Sequence, residues 1–223
     1  DFHRRVGGEA LRTQHGAERA GIVGVWNEEP AGTPELVGEN RTAWSEHEEA
    51  HGMRAAIIMY PLIENAVRGE KKQDIKTHMR NMGTLFARLA AVAAGNPLAT
   101  RRDGFSAEQL ATVDDSNRWI GFPYPRLLNS NAFIDQAAAV VMTNVATARE
   151  LSIARDRWVF LHGCADASDL WYPLERQNYH SSPAMRLTGE RAFEMAGITA
   201  ADLSLIDLYS CFPSAVRIGA EEL

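Results

Sequence analysis

The sequence predicts an α/β protein, with a loop-rich and helical first part followed by alternating strands and helices. Three observations carry this. After Ile134, short apolar runs alternate with helical segments, the pattern of a layered sheet. Between Lys71 and Ala94, the residues Ile75, Met79, Met82, Leu85, Phe86, Leu89 and Val92 recur at spacings of three and four. That spacing lays one apolar stripe along a long helix. Before residue 45, Gly7-Gly8, Gly16, Gly21, Gly24, Pro30, Gly32, Pro34 and Gly38 break the chain into turns. The texture change divides the chain into residues 1–130 and 131–223.

Taken in order, Ala55 to Arg68 reads as a helix that Pro61 kinks or breaks. Asn96-Pro97 stops the long helix that follows. Ser106-Ala107-Glu108-Gln109 has the form of a capping box and predicts a short helix. Residues 117–128 contain Pro123 and Pro125 and read as extended chain or loop. Ala137 to Thr143 is an apolar run expected as a buried strand. Ala146 to Leu151 is a short helix, and Trp158 to Ala165 a second strand. Ser182-Pro183 opens a helix to Met195, with Gly197 as its stop. Leu203 to Tyr209 is a third strand, and Phe212 to Glu222 begins another helix.

Composition excludes little. The 223 residues carry 23 Lys and Arg against 29 Asp and Glu, a net charge of −6. A basic face is the usual footprint of nucleic-acid binding, so no nucleic-acid partner is expected. No run approaches the roughly 18 apolar residues of a membrane span. Two cysteines, Cys164 and Cys211, are too few for a disulfide-built secreted fold. A reducing, cytoplasmic location is the expectation. The chain starts at Asp1 and ends on Glu221-Glu222-Leu223, which reads as an internal fragment.

The motifs were weighed singly. His47-Glu48-Glu49-Ala50-His51 fits H-E-x-x-H, which on a helix places two imidazoles on zinc with the Glu as base. Glu64 or Glu70 would then supply a third ligand. The flanking residues are polar and Gly52 follows directly, so the reading is a charged surface segment, with no metal site. Cys211 lies at a strand-to-helix junction, where a thiol is either an activated nucleophile or a packed structural residue. Ser210 has no G-x-S-x-G elbow around it. His162 and Cys164 lie two apart, on one side of a strand, and read as sheet-core thiol and edge histidine. No G-x-G-x-x-G or P-loop occurs. Lys71-Lys72 and Arg101-Arg102 flank the long helix. They read as solvated ends, with phosphate contact as the alternative.

The C-terminal half has a further coherence. Asp135-Gln136-Ala137-Ala138-Ala139-Val140-Val141, the helix opened by Ser182-Pro183-Ala184, and Asp202-Leu203-Ser204-Leu205-Ile206-Asp207-Leu208-Tyr209-Ser210-Cys211-Phe212 resemble the start of the second half of a thiolase. Thiolases carry S-D-G-A-A-A-V at the first place, P-x-x-A-x-x-x-A-L-x-x-A-G at the second and D-I-D-x-x-E-x-N-E-A-F at the third. Gly7-Gly8-Glu9 is similar to the G-G-x-E turn that precedes the thiolase loop domain. Tyr60-Pro61-Leu62-Ile63-Glu64-Asn65-Ala66 and Asn117-Arg118-x-Ile-x-Phe-Pro-Tyr-Pro are similar to actinobacterial thiolase-like proteins close to the sterol-carrier-protein thiolases. The resemblance covers nearly the whole chain and is strongest from 117 to 219.

The resemblance implies a partial five-layered α/β/α/β/α fold. Residues 1–130 would hold the end of the first half and the helical loop domain, and 131–223 the beginning of the second half. It implies an acyl-CoA acyltransferase of lipid metabolism. Acylation of a cysteine splits Claisen chemistry into two steps, and oxyanion holes stabilise the thioester oxygens. The acylated Cys would precede the G-G-x-E turn, and the catalytic His and second Cys would follow residue 223. Four site residues are implied within the chain. Tyr209 takes the place of the Asn or His that orders the oxyanion-hole water. Ser210 stands at the acidic position, Cys211 at an Ala or Cys position and Phe212 at the Phe. By the resemblance Cys211 lines the site and is not acylated. The departures at Tyr209, Ser210 and Gln136 support a second reading, a non-catalytic thiolase-like protein that binds acyl-CoA or a partner. The coenzyme A thioester is substrate, and no resident cofactor is expected; no residue is assigned to coenzyme A. A homo-oligomer or a partner lipid-binding domain is left open.

Overall fold

The computed structural model describes residues 37–39, 41–131 and 138–223. The Gly7-Gly8-Glu9 turn, the glycine-rich segment up to residue 36 and Asp135-Gln136-Ala137 lie outside the described residues. Asp1–Arg41 and Thr42–Leu223 are separate contact units. The second holds every element described below.

Helix α1 (Glu46–Ala50) starts at Ser45, whose side chain accepts from the Glu48 N–H while the Glu48 carboxylate accepts from the Ser45 N–H. This reciprocal cap satisfies two amides that a helix start leaves orphaned. Helix α2 (Ala56–Glu70) runs through Pro61 without a break. A proline inside a helix removes one intrahelical hydrogen bond. Asn65 Nδ2 ties this stretch down, donating to the Pro61 carbonyl at 2.9 Å and to the Phe122 carbonyl at 3.2 Å.

Helix α3 (Ile75–Ala94) begins four residues later than its apolar stripe suggested. Asp74 caps it, accepting from the Thr77 N–H at 2.7 Å, and Lys72 turns into positive φ just before. The stripe is buried only over its first turns, at His78, Met79, Met82 and Gly83. Leu89 and Val92, at the far end, are exposed. Helix α4 (Ala107–Ala111) carries the expected Ser106–Gln109 capping box. It crosses α3 at Gly83, where a side-chain carbon would collide with the Ala107 carbonyl oxygen.

Residues 117–128 form a small antiparallel hairpin, β1 (Trp119–Gly121) and β2 (Tyr124–Pro125). Buried Asn117 welds it to α4. Its amide nitrogen donates to the carbonyls of Gln109, Leu110 and Thr112, and its oxygen accepts from the Leu127 N–H. Helices α5 (Val145–Glu150), α6 (Pro183–Ala196) and α7 (Pro213–Glu222) fall where the caps and prolines put them. Gly197 ends α6 in the left-handed region at φ 68°.

The three expected strands are a correction. The β1–β2 pair is the one sheet among the described residues. Residues 138–143, 158–165 and 203–209 carry no ladder. Val140, Val159 and Leu205 are each about nine-tenths exposed. Their composition is right for interior strands, but a strand needs a neighbour to take its N–H and C=O groups and a layer to cover it. Neither is supplied by the described residues.

The core gathers around the hairpin instead. Met79 and Met82 of α3, Leu110 of α4, Tyr124 and Leu128 of the hairpin and Phe212 before α7 form one buried cluster. Ile63 and Val67 of α2 meet Ile218 of α7 in a second. Lys71, just past α2, pairs with Glu221 of α7 at 2.7 Å. The start of α7 is thereby fixed against α2 and the hairpin.

Candidate functional site

The segment Tyr209–Phe212 leads directly into α7. Pro213 takes the first helical position, where its missing N–H costs nothing. Phe212 is 2% exposed. Its ring stacks on Tyr60 of α2, with centroids 4.3 Å apart and 16° between the planes, and tilts against Tyr124 at 5.4 Å. Burying a Phe contributes about 1.5–3 kcal/mol. The ring therefore anchors the segment.

The other three residues differ in their placement. Cys211 is half-buried and packs on the same cluster as Tyr60. Its side chain and the Tyr60 ring pack against the same buried cluster that holds Phe212. Burial first, and then the Cys211 thiol, push the Tyr60 phenol well above its usual range. The Cys211 thiol first, and burial second, raise that of Tyr209. Both phenols thus stay protonated and can donate. Tyr209 is 78% exposed, and Ser210 is exposed too. Cys211 and Phe212 are thus brought together with Tyr60, while Tyr209 and Ser210 lie at the surface.

Behind this segment lies a buried polar chain that reading along the sequence missed. Tyr124 donates its O–H to Glu64 Oε2 at 2.6 Å and lies 2.9 Å from the Ser214 hydroxyl. Glu64 Oε1 lies 2.7 Å from His78 Nε2, and His78 Nδ1 lies 3.0 Å from Gln73 Oε1. Glu64, His78 and Ser214 have no exposed surface. Buried polar groups of this kind cost free energy unless every one finds a partner, and here each does. Burial first, and the Glu64 charge second, lift the Tyr124 phenol far above the ordinary value. A signal for His78 did exist. It sits three residues after Ile75 and four before Met82, on the apolar stripe, where an unpaired imidazole would be costly.

The remaining sequence candidates resolve as follows. Glu48 cannot serve as a zinc hydrolase base. Its carboxylate is buried, taking the Ser45 N–H at 2.7 Å and the Leu174 N–H at 2.8 Å. Desolvation pushes its pKa up, but these amides outweigh it and the net shift is downward. The His47 and His51 rings lie tilted at 45° to each other, with centroids 4.4 Å apart. Glu64, the third ligand considered, is engaged with His78 and Tyr124. Among the described residues no group of three His, Cys, Asp or Glu is placed for a metal. His162 and Cys164 are exposed, so Cys164 is not the sheet-core thiol expected. One cation of each basic run is engaged: Lys71 pairs with Glu221, and Arg101 pairs with Asp103 and covers Phe105. A cavity of about 620 Å³ opens instead between α3 and α4. Ile75, Met79, Val113 and Trp119 give it apolar walls, and exposed Lys76 and Arg80 add two cations one turn apart.

No family model matches the chain. Curated relatives and a solved structure do. The chain is 31% identical over 149 residues to the 17-hydroxy-3-oxo-4-pregnene-20-carboxyl-CoA lyase of Mycobacterium tuberculosis, a match covering 65% of this chain and 36% of that protein. It is 28% identical over 155 residues to an acetyl-CoA acetyltransferase of Methanothermobacter thermautotrophicus, covering 66% and 38%. The structure superposes with a TM-score of 0.73 and 36% identity on a crystal structure, covering 81% of this chain and 40% of that one. The chain therefore spans well under half the length of these relatives. The chain is thiolase-like, with a partial α/β thiolase-like fold. The particular protein it superposes on is the monomeric SCP2-thiolase-like protein type 1 of Mycobacterium smegmatis.

Proposed function

We propose that the protein handles acyl-CoA thioesters as a thiolase-type acyltransferase of lipid metabolism, with Tyr209–Phe212 lining its reaction site. One observation carries this reading. Cys211 and Phe212 are locked beneath Tyr60 at the start of α7, which leaves Tyr209 reaching outward with a protonated phenol. An O–H donor aimed at a thioester oxygen would stabilise charge developing there. The relatives' names supply the substrate class. The cavity beside Lys76 and Arg80 supports it, since apolar walls suit a pantetheine or acyl chain and cations suit phosphate. Residues 1–130 and 131–223 would contribute the loop domain and the second-half elements of such an enzyme. A cytoplasmic setting accords with helices none of which, among the described residues, is long and apolar enough to cross a membrane.

The test is turnover. The natural full-length protein is incubated with acetoacetyl-CoA, or a longer 3-ketoacyl-CoA, and coenzyme A, and loss of the substrate is followed. Consumption of the ketoacyl-CoA supports the reading. Coenzyme A binding without turnover would leave the second reading, a non-catalytic acyl-CoA-binding protein. Exposed Ser210 favours that second reading, because the resemblance places a carboxylate there.

A further inference from the structure

The buried chain behind the junction has a geometry that bears on the site itself. Tyr60 and Glu64 lie one turn apart on α2 and face the same neighbours. Tyr60 takes the Phe212 ring, and Tyr60 and Cys211 pack on the same buried cluster. Glu64 takes the Tyr124 hydroxyl, which in turn meets Ser214. Ser214 is the second residue of α7, two positions after Phe212. The segment 211–214 is therefore gripped at two points, by one ring stack and one hydrogen-bonded hydroxyl. His78 on α3 holds the Glu64 carboxylate from the other side. Further along α7, Ile218 packs on Ile63 and Val67 and Glu221 pairs with Lys71, so Tyr124 is the contact that acts on its first turn through Ser214.

We propose that Tyr124 and Glu64 are positioning residues for the junction, acting through Ser214 to hold the Cys211 thiol beneath Tyr60. The proposal rests on reading residues 209–212 as the site, but its test needs no acyl-CoA. When the Tyr124 hydroxyl is removed, the first turn of α7 loses its hydrogen bond at Ser214 and keeps the ring stack and the apolar packing of the helix. The thiol then swings out from under Tyr60 and meets solvent more often.

The pH–rate profile for alkylation by iodoacetamide reads this directly. A Cys164→Ser background leaves Cys211 as the single thiol of these 223 residues, and its labelling is followed on its own peptide by mass spectrometry. Tyr124→Phe keeps the ring against Phe212 and deletes only the O–H. We expect its plateau alkylation rate to rise at least about fivefold, and Ser214→Ala to do the same. Glu48→Ala is the control, because it removes a buried carboxylate that binds Ser45 and Leu174, remote from the junction. It should lower the melting temperature and leave the Cys211 profile at the parent rate. A Tyr124→Phe profile within twofold of the parent overturns the proposal, as does an equal rise in Glu48→Ala. A protein that shows the expected alkylation pattern but neither binds nor turns over acyl-CoA overturns the functional reading alone.

Discussion

Tyr124 and Glu64, sixty residues apart in sequence, share a 2.6 Å hydrogen bond, and neither has any exposed surface. The bond joins the hairpin to α2, and Glu64 carries it on to His78 of α3. Removing Glu64 strands two buried partners, the His78 ring and the Tyr124 hydroxyl, a loss of about 3–5 kcal/mol. Glu64→Ala should therefore lower the unfolding free energy by about that much, measured by urea denaturation. Tyr124→Phe should cost less, about 1–3 kcal/mol, because the ring still packs. An equal cost for the two would mean that His78 finds another partner.

Phe212 is the anchor of the site and should behave as a core residue. Phe212→Ala leaves a cavity between Tyr60, Tyr124 and Met82 and should cost about 3–5 kcal/mol. Phe212→Leu should recover more than half of that in the same denaturation series. Recovery of nothing would show that the aromatic stack, not burial, holds the segment.

Tyr209 is 78% exposed, so its hydroxyl adds little to the fold, and the proposed function gives it a chemical role. Tyr209→Phe should leave the melting temperature within a degree or two. It should lower turnover of a ketoacyl-CoA by about tenfold or more, the scale of losing one oxyanion donor. Unchanged turnover would place the hydroxyl outside the oxyanion hole.

Glu48 predicts a pH dependence. Its folded-state pKa is depressed, so its carboxylate stabilises the fold above the ordinary carboxylate range. That contribution is lost as pH falls through the folded-state value. The stability gap between the parent and Glu48→Gln should be largest near about pH 7 and should shrink toward about pH 3. Chemical denaturation at a series of pH values measures it. A constant gap would mean that the charge contributes nothing beyond hydrogen-bond geometry.

Close helix crossing makes a fourth site sensitive. Gly83→Ala drives a methyl group into the Ala107 carbonyl, so α4 must move off α3. The expected result is a loss of about 1–3 kcal/mol and a reshaped α3–α4 cavity. Thermal melting and a crystal structure of the variant would check both.

The helices were legible because their signals are local. Ser106 with Gln109, and Ser182-Pro183 with Gly197, are short-range chemistry that the structure repeats residue for residue. The stripe of α3 was also legible, though Asp74 rather than Lys71 sets its start. The strands were legible only as composition, since a ladder depends on a partner that a single run of sequence does not name. The same holds for the site. Cys211 and Phe212 stand at a junction that reading along the chain could mark. Their contacts with Tyr60 and the chain from Ser214 to His78 span separations of 14 to 152 residues. Polar pairing at that range leaves no periodicity to read.

The one-turn spacing of Tyr60 and Glu64 also constrains how the gene can vary. A helix turns about 100° per residue, so one residue inserted or deleted between them would rotate one away while the other stayed. Substitutions can drift along the exposed side of α2, at Leu62 or Ile58, without touching either contact. Length cannot. Related sequences that keep this site should therefore differ around α2 by replacement and hold the four-residue interval fixed, and a gap inside it would mark a junction built some other way.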